Sequence, residues 1–124
     1  MPRAKSKKST MPANGDCYEA AGKFMISNAS KGGGKYVLVH GEVLGRGPLD
    51  GVNFGHAWVL DVDADMVVDN SNGGNVKIPK AVYYLLGHIE HIGNYHEYTA
   101  EQAMEKMRKF KHYGPWDLKT SSGL

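Results

Sequence analysis

The segment His56-Ala57-Trp58-Val59-Leu60-Asp61-Val62, followed by Asp63-Ala64-Asp65 and Met66-Val67-Val68-Asp69, constrains the fold more than any other stretch of the chain. Side chains alternate along a strand, so His56, Trp58, Leu60 and Val62 share one face and Ala57, Val59 and Asp61 share the other. Apolar residues fall on both faces, which marks a central strand rather than a half-solvated one. Asp63-Ala64-Asp65 supplies a hairpin turn, and residues 66–69 return as a short second strand. That hairpin places Asp69 opposite the start of the first strand, next to His56.

The rest of the chain reads as elements arranged around this hairpin. Residues 1–13 are a basic, aperiodic leader with a flexible composition. Asn14-Gly15-Asp16 is a turn signal, and Asn14 or Asp16 is placed to cap the helix that follows. From residue 17 to about residue 29, Cys17, Ala21, Phe24 and Met25 recur at helical spacing. Lys31-Gly32-Gly33-Gly34 then stops the helix. Residues 35–44 are rich in β-branched side chains and read as a strand; residues 45–55 carry four glycines and a proline and read as a loop. Residues 70–75 form another loop, residues 77–86 favour a short helix after Pro79, and residues 88–98 supply one more strand. Thr99 and Gln102 have capping-box spacing and open a helix to about Lys111, with Ala100, Ala103, Met104, Met107 and Phe110 as its apolar stripe. Gly114 and Pro115 stop it, and residues 118–124 read as a disordered tail. The expected fold is α+β: one domain over residues 14–117, an N-terminal helix, a mostly antiparallel sheet and a terminal helix.

Composition narrows the function classes. At 124 residues and 41% apolar content the chain fits one domain with a real core. No apolar run approaches the roughly 20 residues that span a bilayer, and the N-terminus lacks the apolar region of a secretory signal. A single cysteine forms no internal disulfide, which suits a reducing compartment, so a cytoplasmic protein without membrane contact is expected. The net charge is +2, but Arg3, Lys5, Lys7 and Lys8 put +4 on the first eight residues and leave −2 on the body. With no basic stripe and no interleaved aromatics on that body, nucleic-acid binding is not expected. His88, His91 and His96 alternate faces if they lie on a strand and match no zinc spacing, so no metal or cofactor is expected. The glycine-rich run ending at Lys35 lacks the phosphate-loop pattern.

Cys17 carries the chemistry. It stands where the helix is expected to begin, and unpaired N–H groups at a helix start favour a thiolate and can face a developing oxyanion. A reactive thiolate needs a base or cationic partner, and that partner needs a third group to orient it. His56, at the head of a central strand after Gly55, is the best placed of six histidines. Asp69 is the matching orienting group, with Asn70 or Asn72 as substitutes. Trp58, although on the His56 face, reads as core.

These residues resemble a known family. Gly15-Asp16-Cys17-Tyr18-Glu19-Ala20-Ala21 looks like the G-x-C-x-x-x-A helix start of transglutaminase-like cysteine enzymes. Residues 36–43 (YVLVHGEV) resemble the strand that follows, Gly55-His56-Ala57-Trp58-Val59 is similar to their G-H-A-W-V/A segment, and Val67-Val68-Asp69-Asn70-Ser71 resembles their V-D-P-T segment. Asn70-Ser71 departs from the Pro-Thr often found there. The resemblance spans residues 14–72 and follows the family order Cys, His, Asp at spacings of 39 and 13 residues. It implies a papain-like α+β fold and acyl transfer through a thioester. Cys17 would be the nucleophile, His56 the general base and then acid, and Asp69 the orienting carboxylate. Peptide, amide or other acyl compounds would be the substrates. The competing expectation is a degenerate, inactive member of the same fold that serves as a binding module.

Overall fold

A computed structural model describes residues 13–29, 35–45, 51–71 and 76–120. The expected leader up to residue 12 and the loop core at residues 72–75 lie outside the described residues. The elements run α1 (Ala13–Asn28), β1 (Tyr36–Leu44), β2 (Asn53–Asp61), β3 (Met66–Asp69), β4 (Val76–Pro79), α2 (Lys80–Leu86), α3 (Ile89–Ile92), β5 (Tyr95–Thr99) and α4 (Ala100–Phe110). The strands form one five-stranded sheet in the order β4-β3-β2-β1-β5, with every neighbouring pair antiparallel. The protein is thus α+β, with its N-terminal helix packed on an antiparallel sheet and a helix toward its C-terminal end.

β2 is central, as its two-sided apolar pattern requires. On one face Ala57 and Val59 join Leu38, Val68 and Tyr98 under Cys17, Tyr18, Ala21 and Met25 of α1 and Ala103 of α4. On the other, Trp58 and Leu60 join Val39, Val43 and Val67 under Tyr84 of α2 and Ile89 of α3. Each fully buried side chain of this size contributes about 1.5–3 kcal/mol. The strands approach closely around β1: a Cβ at Gly41 would lie 2.7 Å from Trp58 Cη2 and 2.8 Å from Tyr95 Cβ, so only glycine fits.

Several boundaries differ from those the sequence suggests. α1 starts at Ala13, so Asn14 and Asp16 fall within its first turn and Cys17 is its fifth residue. Its C-terminal end precedes the glycine run, and the Asn28 side-chain amide folds back to donate to Phe24 O at 2.8 Å. β2 begins at Asn53, inside the expected loop, because Asn53 and Phe54 pair with Leu44 and Val43 of β1. Residues 88–98 are not one strand: His88 adopts a left-handed conformation, α3 follows, and only Tyr95–Thr99 pairs with β1.

α4 opens with the capping box its sequence spells: Gln102 N donates to Thr99 Oγ1 at 3.1 Å and Thr99 N to Gln102 Oε1 at 2.9 Å. Lys111, at φ 64°, closes the helix before Gly114 and Pro115 are reached. Phe110 is 40% exposed rather than core, with Lys106 and Lys109 over its ring. Of the expected tail at residues 118–124, residues 121–124 lie outside the described residues; before them Leu118 is buried and Lys119 O accepts from Asn94 Nδ2 at 2.9 Å.

Candidate active site

Asp69 ends β3 and accepts hydrogen bonds from Ser71 and Tyr83. Ser71 donates twice to Oδ1, from its amide at 2.9 Å and its hydroxyl at 2.6 Å. Tyr83 OH, from α2, donates to Oδ2 at 2.7 Å. His56 Nε2 lies 3.2 Å from the same Oδ2. Burial alone would raise this carboxyl, but the hydrogen bonds from His56, Ser71 and Tyr83 overcome it and hold Asp69 well below the usual carboxylate range. An ionised carboxylate only accepts, so Nε2 carries the proton in this contact and Nδ1 is the nitrogen left for another partner.

The strand register explains this pairing. β2 and β3 pair from Val59↔Val68 to Asp61↔Met66. Extending that ladder puts Asp69 beside Trp58, two residues from His56 on the same face, so the contact is diagonal rather than directly across. Tyr83 and Ser71 were not singled out from sequence. Ser71 had a local signal, since a side-chain oxygen commonly accepts from the amide two residues on. Tyr83 had none, because only the fold of α2 over the sheet brings it to Asp69.

Cys17 reaches the imidazole from the opposite side of the sheet. Its helix packs on the Ala57 and Val59 face, whereas His56 lies on the other face with its ring stacked toward Trp58 at a centroid distance of 6.0 Å. β3 pairs with β2 only from Val59 onward, leaving residues 53–58 without a ladder partner on that side among the described residues. The thiol and the imidazole are nevertheless close enough to interact. Burial would depress His56, but its hydrogen bond to Asp69 and its interactions with Cys17 outweigh that and push its pKa up to about 9. Nδ1 makes no hydrogen bond of ordinary geometry.

The helix-start argument for a thiolate does not carry over unchanged. The unbonded N–H groups of α1 lie in its first turn, ahead of Cys17, and the dipole's influence falls off within that turn. Cys17 begins the second turn, so His56 is the cation available to it. The sulfur is also enclosed: Cys17 is 1% exposed, whereas the His56 and Asp69 side chains are 12% and 16% exposed. Access to the group of three is therefore from the histidine side. A cavity of about 290 Å³ opens there against His56 and Tyr83. A larger one of about 660 Å³, by Asp65, Lys80, His88 and His91, touches none of the three.

Trp58 is fully buried, and its indole N–H donates to Tyr84 OH at 3.2 Å. His88 and His91 occupy the α3 turn and His96 lies on β5, so the three histidines do not share a strand. Among the described residues no group of three or more His, Cys, Asp or Glu is arranged to hold a metal ion, and no helix is long and apolar enough to cross a membrane.

No protein-family model, curated protein or solved structure matches the chain.

Proposed function

We propose that the protein is a cysteine-dependent hydrolase or acyl transferase of the peptidase or amidase type, with Cys17 as nucleophile, His56 as general base and acid, and Asp69 as the orienting carboxylate. The observation that carries this reading is the position of His56 between Asp69 and Cys17, with its protonated form favoured to about pH 9. A persistent imidazolium beside a thiol stabilises the thiolate and is ready to protonate a leaving group. Support also comes from the order and context of the three residues, which resemble the transglutaminase-like enzymes, and from a helix-on-antiparallel-sheet layout compatible with a papain-like fold.

In the first step Sγ bonds to the carbonyl carbon of the substrate. The carbonyl π electrons move onto oxygen and return as the bond to the leaving amine or alcohol breaks, and His56 gives its proton to that leaving group. The product is a thioester on Cys17. His56, now neutral, removes a proton from water or from an acceptor amine, which attacks the thioester and expels the thiolate. Asp69 keeps Nε2 protonated throughout and leaves Nδ1 for transfer, while Tyr83 and Ser71 hold the carboxylate.

The 1% exposure of Cys17 favours a second reading, a catalytically silent binding module in which the thiol is a small core residue. Iodoacetamide labelling across pH separates the two. For an enzyme, Cys17 in the folded protein is alkylated well below the free-thiol pKa of ~8.5, and His56→Ala abolishes that low-pH reactivity. Labelling that follows an ordinary thiol titration, unchanged by His56→Ala, would sink the catalytic reading.

A further inference from the structure

The cavity against His56 has a wall that says what it holds. Val43 of β1, Phe54 of β2, Ile78 of β4 and Leu86 of α2 line it, and His56 and Tyr83 are the only lining residues with polar side chains among the described residues. Both polar groups are already engaged by Asp69 Oδ2, the tyrosine at 2.7 Å and the imidazole at 3.2 Å. Asp69 Oδ1 is taken by Ser71. Among the described residues, the cavity therefore offers a cation no free carboxylate. An anion would compete with Asp69 and Cys17 for the one imidazolium, and a polar group would lose its water without gaining a partner. At about 290 Å³ the volume lies at the small end of ligand pockets, which run from about 300 to 1,000 Å³, so it suits one side chain rather than a whole ligand.

We infer that this cavity receives a single uncharged apolar group of the acyl substrate, a branched aliphatic or benzyl-sized side chain, and so sets the specificity of the Cys17 site. The inference rests on the catalytic reading for its link to chemistry. Leu86, 46% exposed, forms part of the wall that meets solvent and is the residue through which the preference can be changed without disturbing the core.

The experiment is alkylation of the native protein by a set of N-substituted chloroacetamides carrying hydrogen, isobutyl, benzyl, carboxymethyl or aminoethyl groups. In each, Cys17 Sγ bonds to the methylene carbon, the carbon–chlorine bond breaks and chloride leaves. Rates are read by intact mass and divided by the rate of the same reagent with a free thiol. The isobutyl and benzyl reagents should react about tenfold faster than the two charged ones, the scale on which apolar pockets discriminate. Leu86→Asp should reduce that advantage and favour aminoethyl over carboxymethyl. Equal normalised rates across the set, with the parent reagent still fast, would overturn the cavity assignment and leave the thiol reading standing. A parent reagent no faster than with free thiol would instead remove the catalytic reading. The cavity is then judged by nuclear magnetic resonance titration of folded Cys17→Ser with isovaleramide. Saturable amide shifts at Leu86 and Gly87, absent with succinamate, support the site; their absence overturns it.

Discussion

Two buried histidines stand on adjacent strands, one residue out of register, and behave in opposite ways. His40 on β1 pairs with Ala57, and His56 on β2 pairs with Gly41, so their rings lie on opposite faces of the sheet. His40 is fully buried, and neither of its ring nitrogens is hydrogen-bonded. It is enclosed by Tyr18, Tyr98 and Trp116 at centroid distances of 4.8, 5.2 and 4.7 Å. Burial, reinforced by His96, pushes its pKa down to about 3. His56 is also penalised by burial, yet Asp69 and Cys17 raise it to about 9. Burial acts in the same direction on both. The partner chemistry decides the outcome: an aromatic cage keeps one imidazole neutral, and a fixed carboxylate with a thiol charges the other.

The largest expected effect comes from removing the thiol. Cys17→Ala should abolish turnover, since the chain has no other thiol, and should lower the His56 titration midpoint in a proton resonance experiment. Full turnover in a folded Cys17→Ala protein, checked by circular dichroism, would refute the mechanism. Next, His56→Ala should reduce turnover by about 10²–10⁴-fold, the usual range for a general acid–base group, whereas His40→Phe should leave it within a few-fold. Equal losses from the two would erase the functional distinction between the faces. Asp69→Ala should leave weak activity, because packing against Trp58 still orients the ring in part.

A smaller effect separates the histidines through pH. The folded pKa of His40 lies below the ordinary value near 6.5, so its contribution to stability is present above that value and is lost as pH falls toward about 3. The folded pKa of His56 lies above it, so its contribution is complete below about 6.5 and is lost as pH rises through about 9. Denaturation midpoints measured against pH should show a flatter acid side in His40→Phe and a flatter alkaline side in His56→Gln. The reverse assignment would contradict the comparison. The smallest effect is expected from Tyr83→Phe, which deletes one donor to Asp69. It should cost about 1 kcal/mol of orientation, a several-fold loss of kcat with the thermal midpoint nearly unchanged.

The features legible in the sequence were those written in local chemistry. The turn at Asp63-Ala64-Asp65 predicted the β2–β3 hairpin, and Thr99 with Gln102 predicted the start of α4. His56 and Asp69 could be paired because the hairpin fixes their separation. What was hidden depends on contacts distant in sequence. β4 is four residues long with three exposed side chains, one of them a proline, so it has no alternation to read, and only β3 makes it a strand. Asn53 and Phe54 look like loop until β1 supplies their ladder partners. Phe110 fits a helical stripe but lies beyond the part of α4 that the sheet covers. The approach of Cys17 from the other side of the sheet was likewise unreadable, because it depends on how α1 packs on the sheet.

The short hairpin has a consequence for the order in which the site is built. His56 and Asp69 are 13 residues apart, and Cys17 is 39 residues from His56. Closing the longer loop costs about 1 kcal/mol more in chain entropy, before the docking of a whole helix is counted. The histidine–carboxylate pair can therefore form inside a single local unit, and the sulfur is added only when α1 lands on the sheet. Until that last event Cys17 lacks its histidine neighbour, so under the proposed mechanism alkylation of Cys17 at low pH would report completed folding.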